Sequence, residues 1–240
     1  MGVPSPEAIE RHPHLARTLE PGWIRVDCHS HTMWSGDCTT TPDELLDAVQ
    51  ASGIDVLCVT DHNVIAGAQA MVDYLPCRVV VGEELRVGQG EVIGLFIEER
   101  IPTGVTLSQA AKRIRDQQGL VYIPHPFDPM RNCLRPHEID GLVADGLVDA
   151  IEGRNSKTSL ESLNRQATQY GEQNGLAIGG GSDAHVPDSL GATVVEMPDF
   201  TGPEDFLDSL RQGRVIGHHY DRARPWRPRI VPSIDDPISG

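Results

Sequence analysis

Residues 55–60, DVLCVT, are a near-continuous apolar run of strand length, with Gly53 just before them and Asp61 and His62 just after. A strand that is apolar on both faces belongs inside a parallel sheet covered by helices, so the rest of the chain is read outward from it. Upstream, residues 24–28 (IRVDC) form a short strand. Residues 42–52 (PDELLDAVQAS) carry apolar side chains at helical spacing, after a Thr-Thr-Pro start and before Gly53. Downstream, a helix is expected over 64–75, and strands over 78–82 (RVVVG) and 91–97 (EVIGLFI), paired through a Gly-rich turn at 86–90. A helix over 107–118 stops at Gly119 and is followed by a strand at 120–124 (LVYIP). The rhythm continues with a helix at 136–146, a strand at 148–152 (VDAIE), a helix at 159–173 and a strand at 176–179. A strand near 192–196 and a helix near 203–212 complete it. Strands alternating with helices imply parallel strands and right-handed crossovers. Six or seven such units in 240 residues suit a (β/α) barrel better than an open sheet.

Twenty Lys plus Arg stand against 35 Asp plus Glu, a formal charge of -15, yet the chain holds ten histidines. An apolar fraction of 39%, with 24 Gly and 18 Pro, is that of a globular domain and excludes disorder, collagen-like repeats and a disulfide scaffold. The acidic balance argues against a broad polynucleotide-binding surface, because such surfaces gain affinity when Lys and Arg displace counterions. There is also no basic-plus-aromatic stripe to track a single strand. No run approaches the roughly 18 apolar residues of a membrane helix, and the N-terminal residues have no apolar signal core. The five cysteines include no C-x-x-C and read as reduced thiols, so the expectation is a cytoplasmic protein without a membrane partner. Residues 1–22 read as an N-terminal arm, 23–220 as one domain, and 221–240 as a Pro-rich tail.

The chemistry lies in where the histidines and carboxylates fall. His29 and His31 follow the first strand as H-x-H, and alternate residues of an extended chain point the same way about 6.6 Å apart, so both imidazoles can converge on one ion. Asp37 lies in the loop beyond. His62 follows DVLCVT, Glu84 follows RVVVG, His125 follows LVYIP, Asn155 lies just beyond VDAIE, and Asp183 and His185 follow LAIGGG. All fall at or just after the C-terminal end of an expected strand, and in a parallel barrel those ends share the rim where active sites are built. His12 and His14 also spell H-x-H but have no strand before them, and they read as solvent-exposed. His137 reads as surface, and His218 and His219, after the short apolar segment RVIG, are given no role in the site. A cluster of His nitrogens and carboxylate oxygens without thiolate suits Mn, Fe or Zn as the divalent ion. A water bridging two such ions loses its proton near neutral pH and supplies hydroxide for in-line attack on a phosphate, so no side-chain nucleophile is needed. Arg131, Arg154 and Lys157 sit in rim loops as phosphate-binding cations, and Asp61 reads as an acceptor that fixes a neighbouring ring.

The ordered motifs H-S-H-T (29–32), T-D-H (60–62), G-x-E (82–84), P-H-P (124–126) and S-D-A-H (182–185) resemble the PHP, or polymerase and histidinol phosphatase, family over residues 24–220. The resemblance implies a distorted seven-stranded TIM-like (β/α) barrel, a single domain with a trinuclear metal site, and phosphoester hydrolysis. It implies that His29, His31, Glu84 and Asp183 surround a first ion, with Glu84 bridging to a second completed by His125 and Asn155. Asp37, His62 and His185 would hold a third. Position 37 is often His in the family, and position 155 often His or Cys, so the amide of Asn155 is a weaker ligand there. The reading is hydrolysis of a small phosphorylated metabolite, a phosphomonoester or cyclic phosphate, using two or three divalent ions. The alternatives are a nuclease or phosphatase of short oligonucleotides, an amidohydrolase-like reaction on a C–N bond, and a metal-binding module without catalysis.

Overall fold

Nine strands make one sheet among the described residues: Trp23–Ser30 (β1), Val56–Val59 (β2), Arg78–Val87 (β3), Gly90–Leu95 (β4), Leu120–Ile123 (β5), Ala150–Asn155 (β6), Ala177–Gly181 (β7), Thr193–Pro198 (β8) and Arg214–Gly217 (β9). The computed structural model describes residues 2–88 and 90–224, so all but the first four residues of the tail expected at 221–240 lie outside the described residues. The strand order is β7-β6-β5-β4-β3-β2-β1-β8-β9. β1 to β3 pair in parallel, as do β5 to β7; β4 is antiparallel to both of its neighbours, and β8 to both of its own. Seven strands therefore share one direction, and β4 and β8 oppose it. Those two reversals distort the TIM-like barrel. The rim closes where the end of β1 meets the loop after β7, with Asp183 N donating to His29 O (2.8 Å) and His31 N to Ala184 O (3.1 Å).

Helices Pro42–Ser52 (α2), a short Ala66–Val72 (α3), Pro136–Ala144 (α5) and Glu161–Gln173 (α6) carry the crossovers between parallel strands, and Leu107–Asp116 (α4) and Pro203–Gln212 (α7) join antiparallel neighbours. α2 begins where its sequence demands. Thr41 Oγ1 accepts from Glu44 N (3.3 Å), Glu44 Oε2 accepts from Thr41 N (3.0 Å), and Gly53 ends the helix at φ 65°. The barrel interior is filled by Val26, Cys28, Val56, Cys58, Ile93 and Tyr122, all buried. The helices cover the outer face of the sheet with their own apolar stripes, such as Ala110, Ala111 and Ile114 of α4. No described helix is long and apolar enough to cross a membrane.

Two sequence expectations change. β3 runs on to Val87 and pairs Arg86 with Glu91 in a hairpin, so Glu84 lies inside a strand and not after one. The N-terminal arm is not loose either: helix Pro6–Arg11 (α1) and a turn at Pro13–Ala16 pack it down, and His12 is buried. His12 Nε2 donates to the Asp188 carbonyl (2.9 Å) and His14 Nε2 to that of Gly191 (2.9 Å), while His12 Nδ1 lies 3.4 Å from His218 Nε2. Burial first, then the neighbouring His218, lowers both arm histidines to about 4, so they sit neutral against carbonyls that can only accept. His137 is exposed, and His219 Nδ1 reaches Ser156 O (2.9 Å) at the rim.

Glu83, buried beside Glu84, offers a test of the fold. Its Oε2 accepts from Ile101 N (2.8 Å), and burial pushes its carboxyl up to about 7. The folded value exceeds the unfolded one of about 4.3, so the folded chain holds the extra proton between them. Stability from this group is therefore complete below about pH 4.3 and is lost as the pH rises through about 7. Glu83→Gln should raise stability by about 1–3 kcal/mol at pH 8 and leave it unchanged at pH 4, read as thermal midpoints at both pH values. Equal midpoints at pH 8 would show that Glu83 carries no buried charge.

Candidate metal centre

The C-terminal ends of β1, β2, β5 and β7 and the β3–β4 hairpin bring eight of the nine expected ligands to one buried cluster. His29 Nε2 lies 3.1 Å from His31 Nε2 and 3.2 Å from Glu84 Oε2, and His31 Nε2 is 3.3 Å from Glu84 Oε2. Asp183 Oδ1 closes the set at 3.3 Å from His31 Nε2 and 3.8 Å from His29 Nε2. Four ligands at about 2.1 Å from a tetrahedral ion stand about 3.4 Å apart, so these spacings are those of a coordination shell. Glu84 Oε1 faces His125 Nε2 at 3.0 Å. Asp37 Oδ2 lies 3.3 Å from both His62 Nε2 and His185 Nε2, forming a third grouping with His31.

The protonation pattern fits the same use. Burial alone would lower the His29 imidazole, but Glu84, Asp183 and Glu152 hold it well above the usual histidine range. Burial would raise the Glu84 carboxyl, and the surrounding His29, His125 and His31 hold it well below its ordinary value. His31 falls to about 4 through burial and the adjacent His185, which leaves its ring neutral with a lone pair to give. Asp183 Oδ1, Asp37 Oδ1 and His62 Nδ1 are buried without a hydrogen-bond partner. Orphaned polar atoms of this kind are costly unless something else meets them. A divalent ion fits these donors. His125 and Asp183 also hold positive φ values of 28° and 50°, strain of a kind that collects at functional sites. Gly181 lets β7 lie against β1 here, since a Cβ on it would come within 2.4 Å of that of His29.

Three expected residues take other postures. Asn155 is buried in the network, but its amide donates to Glu152 Oε2 (2.9 Å) and Asp183 Oδ2 (3.3 Å), and its oxygen accepts from Lys157 N (2.9 Å). Two acceptor-only carboxylates need the amide's N–H groups, so no oxygen is offered to the histidines. Arg154 pairs with Glu161 of α6 and lines a groove of about 630 Å³ between α6 and α7, turned from the cluster. Asp61 braces Thr32, accepting from its N (2.7 Å) and Oγ1 (2.6 Å), and not a ring. Arg131 and Lys157 do reach the cluster: Arg131 pairs with Asp183 Oδ2, and Lys157 Nζ lies 3.7 Å from Asp183 Oδ1 and 3.2 Å from His185 Nδ1.

Two acids and an arginine were not singled out from the sequence. Glu152 of β6 faces His29 Nδ1 at 3.2 Å and accepts from His125 N at 2.6 Å, so it orients one ring and one loop together. Glu91 of β4 lies 3.6 Å from His125 Nε2 and 3.7 Å from His62 Nδ1, grouped with His62 and Glu84. Arg86 of β3 bonds Glu91 through Nε (3.1 Å). Strand alternation held the signal: with the hairpin in register, Glu84, Arg86, Glu91 and Ile93 share one face.

Residues 27–114 match the family model described as PHP domain, and residues 161–215 the one described as PHP-associated. The chain is 30% identical over 197 residues to an uncharacterised protein of Methanocaldococcus jannaschii, covering 78% of this chain and 79% of that one. Over 133 residues it is 28% identical to a 5'-3' exoribonuclease of Haemophilus influenzae, covering 52% of this chain and 47% of the enzyme. A crystal structure from Bacteroides vulgatus, of a two-domain protein described as containing a predicted PHP-like metal-dependent phosphoesterase, matches with a TM-score of 0.67 at 19% identity. The match covers 82% of this chain but only 65% of that one, less than two thirds, and speaks for a shared fold.

Proposed function

The chain belongs to the PHP family, and on that premise we propose that it is a metal-dependent phosphoesterase hydrolysing phosphomonoesters or cyclic phosphates of small metabolites. One observation carries the reading: donor atoms of His29, His31 and Glu84 lie 3.1–3.3 Å from one another at a buried point, with Asp183 Oδ1 3.3 Å from His31 Nε2. In this reading those four residues hold a first ion; Glu84, His125 and Glu91 hold a second; and Asp37, His62 and His185 hold a third. Two or three ions, drawn from Mn, Fe and Zn, would supply positive charge for the phosphoryl oxygens and acidify the attacking water. Glu152 fixes the His29 ring, Asn155 steadies Glu152 and Asp183, and Arg131 and Lys157 bind the phosphoryl oxygens from the Asp183 side.

The protein supplied in turn with Mn, Fe and Zn should release inorganic phosphate from a panel of phosphomonoesters and cyclic phosphates, with His31→Ala losing both bound metal and turnover. Failure on the whole panel with every metal overturns the assignment. Similarity to the exoribonuclease of Haemophilus influenzae favours a second reading, action on short oligonucleotides. The charge of -15 limits that reading to short chains. Cleavage of di- to pentanucleotides in preference to every small phosphoester would select it.

A further inference from the structure

The two arginines beside the cluster stand differently towards its carboxylates. Arg131 holds Asp183 by Oδ2, while Oδ1 of the same carboxylate faces His29 and His31. A cation among those histidines would take Oδ1 and leave the Arg131 pair in place. Arg86 instead holds oxygens that themselves face histidines. Its Nε bonds Glu91 Oε1, which lies 3.7 Å from His62 Nδ1. Its Nη2 lies 3.9 Å from Asp37 Oδ2, the oxygen set 3.3 Å from His62 Nε2 and 3.3 Å from His185 Nε2. A guanidinium here stands in for the cation that the histidines and carboxylates together describe.

Both cations cannot keep those oxygens. A divalent ion approaches a carboxylate oxygen to about 2.1 Å with twice the charge of a guanidinium at 3.1 Å or more, so Coulomb attraction favours the ion about threefold at equal screening. The ion also repels the guanidinium. Arg86 has somewhere to go: its side chain is 52% exposed at the hairpin edge, while its backbone N stays anchored to Asn63 Oδ1 (3.1 Å). Once displaced from Glu91 and Asp37, the exposed guanidinium stays beside the cluster, within reach of an anion that rests on it. Arginine's planar fork suits phosphoryl oxygens.

We infer that Arg86 is a metal-released phosphate clamp, which neutralises Glu91 and Asp37 in the metal-free protein and turns to the phosphoryl group once divalent ions take those carboxylates. The inference rests on the phosphoesterase reading for the identity of the anion, and its test does not need turnover. Calorimetry with Mn would measure metal binding to metal-free wild type, Arg86→Ala, Arg86→Lys and Arg131→Ala, followed by titration of the loaded proteins with inorganic phosphate. Arg86→Ala should bind its weakest metal equivalent about tenfold tighter, because a competing charge is gone. The loaded variant should bind phosphate about tenfold or more weakly, the loss of one hydrogen bond between charged groups. Arg86→Lys should recover part of the phosphate affinity, and Arg131→Ala should weaken phosphate binding with no gain in metal affinity. Weaker metal binding by Arg86→Ala would show that Arg86 only props Glu91 and Asp37, and unchanged phosphate affinity would show that it never meets the anion. Either result overturns the inference. If wild type binds phosphate through Arg86 yet hydrolyses no phosphoester, the clamp stands and the proposed activity falls.

Discussion

Glu84→Gln is expected to lower kcat/KM for a phosphomonoester by at least about a thousandfold and to remove at least one equivalent of bound metal, while the chain stays folded. Glu84 meets four of the expected histidine ligands. Its Oε2 lies 3.2 Å from His29 Nε2, 3.3 Å from His31 Nε2 and 3.2 Å from His62 Nδ1, and its Oε1 is 3.0 Å from His125 Nε2. One buried carboxylate therefore borders all three groupings. Glutamine keeps the shape but exchanges one acceptor for an N–H2 group that points a donor into a space meant for a cation. It also removes the negative charge that offsets closely spaced positive ones. Changing partners one step behind a metal ligand already costs about 10–100-fold in affinity or activity, and a shared ligand should cost more. Circular dichroism and the thermal midpoint of the metal-free variant separate this outcome from unfolding. A folded Glu84→Gln enzyme within tenfold of wild type, with its full metal content, would remove Glu84 from the centre.

What could be read from the chain followed the local rules that operate there. The buried run DVLCVT, the Thr-Thr-Pro helix start and the glycine stops are decided within a few residues, and those strands and helices lie where the pattern places them, apart from their ends. H-x-H, T-D-H and S-D-A-H are legible because each falls at or just after the end of a strand, and the barrel gathers strand ends at one rim. Glu91 and Glu152 carry no local signal because they sit inside strands, where only pairing register reveals which face an acid occupies. His12 and His14 depart from the sequence expectation for a related reason. Their partners, Asp188, Gly191 and His218, lie more than 170 residues away, so no local pattern marks them as buried. Arg154 and Asn155 show the limit from the other side. Position near the rim was readable, but direction was decided by Glu161 in one case and by two carboxylates needing donors in the other.

Loading the metal-free protein with its preferred divalent ion should raise the thermal midpoint by roughly 8–16 °C. An ion present at about a thousand times its dissociation constant contributes about 4 kcal/mol, and 1 kcal/mol is worth about 2–4 °C in a chain of this size. The gain should also depend on pH, with a sign set by the cluster. Carboxylate neighbours hold His29 and His62 above their usual values, so near neutrality the metal-free cluster keeps protons on rings whose lone pairs the ions need. Binding must expel them. Metal affinity should therefore rise as the pH climbs from 6 to 8, and calorimetry in buffers of different ionisation enthalpy should show at least about one proton released per chain at pH 7. Acid works in the opposite sense, because protonating Glu84 or Asp183 requires a pH well below the ordinary carboxylate range. Glu84 and Asp183 thus stay charged across the whole window and add nothing to the slope. A midpoint that moves by less than about 2 °C with Mn, Fe and Zn alike, or an affinity that falls as pH rises, would mean that the buried acids and imidazoles neutralise each other and hold no ion.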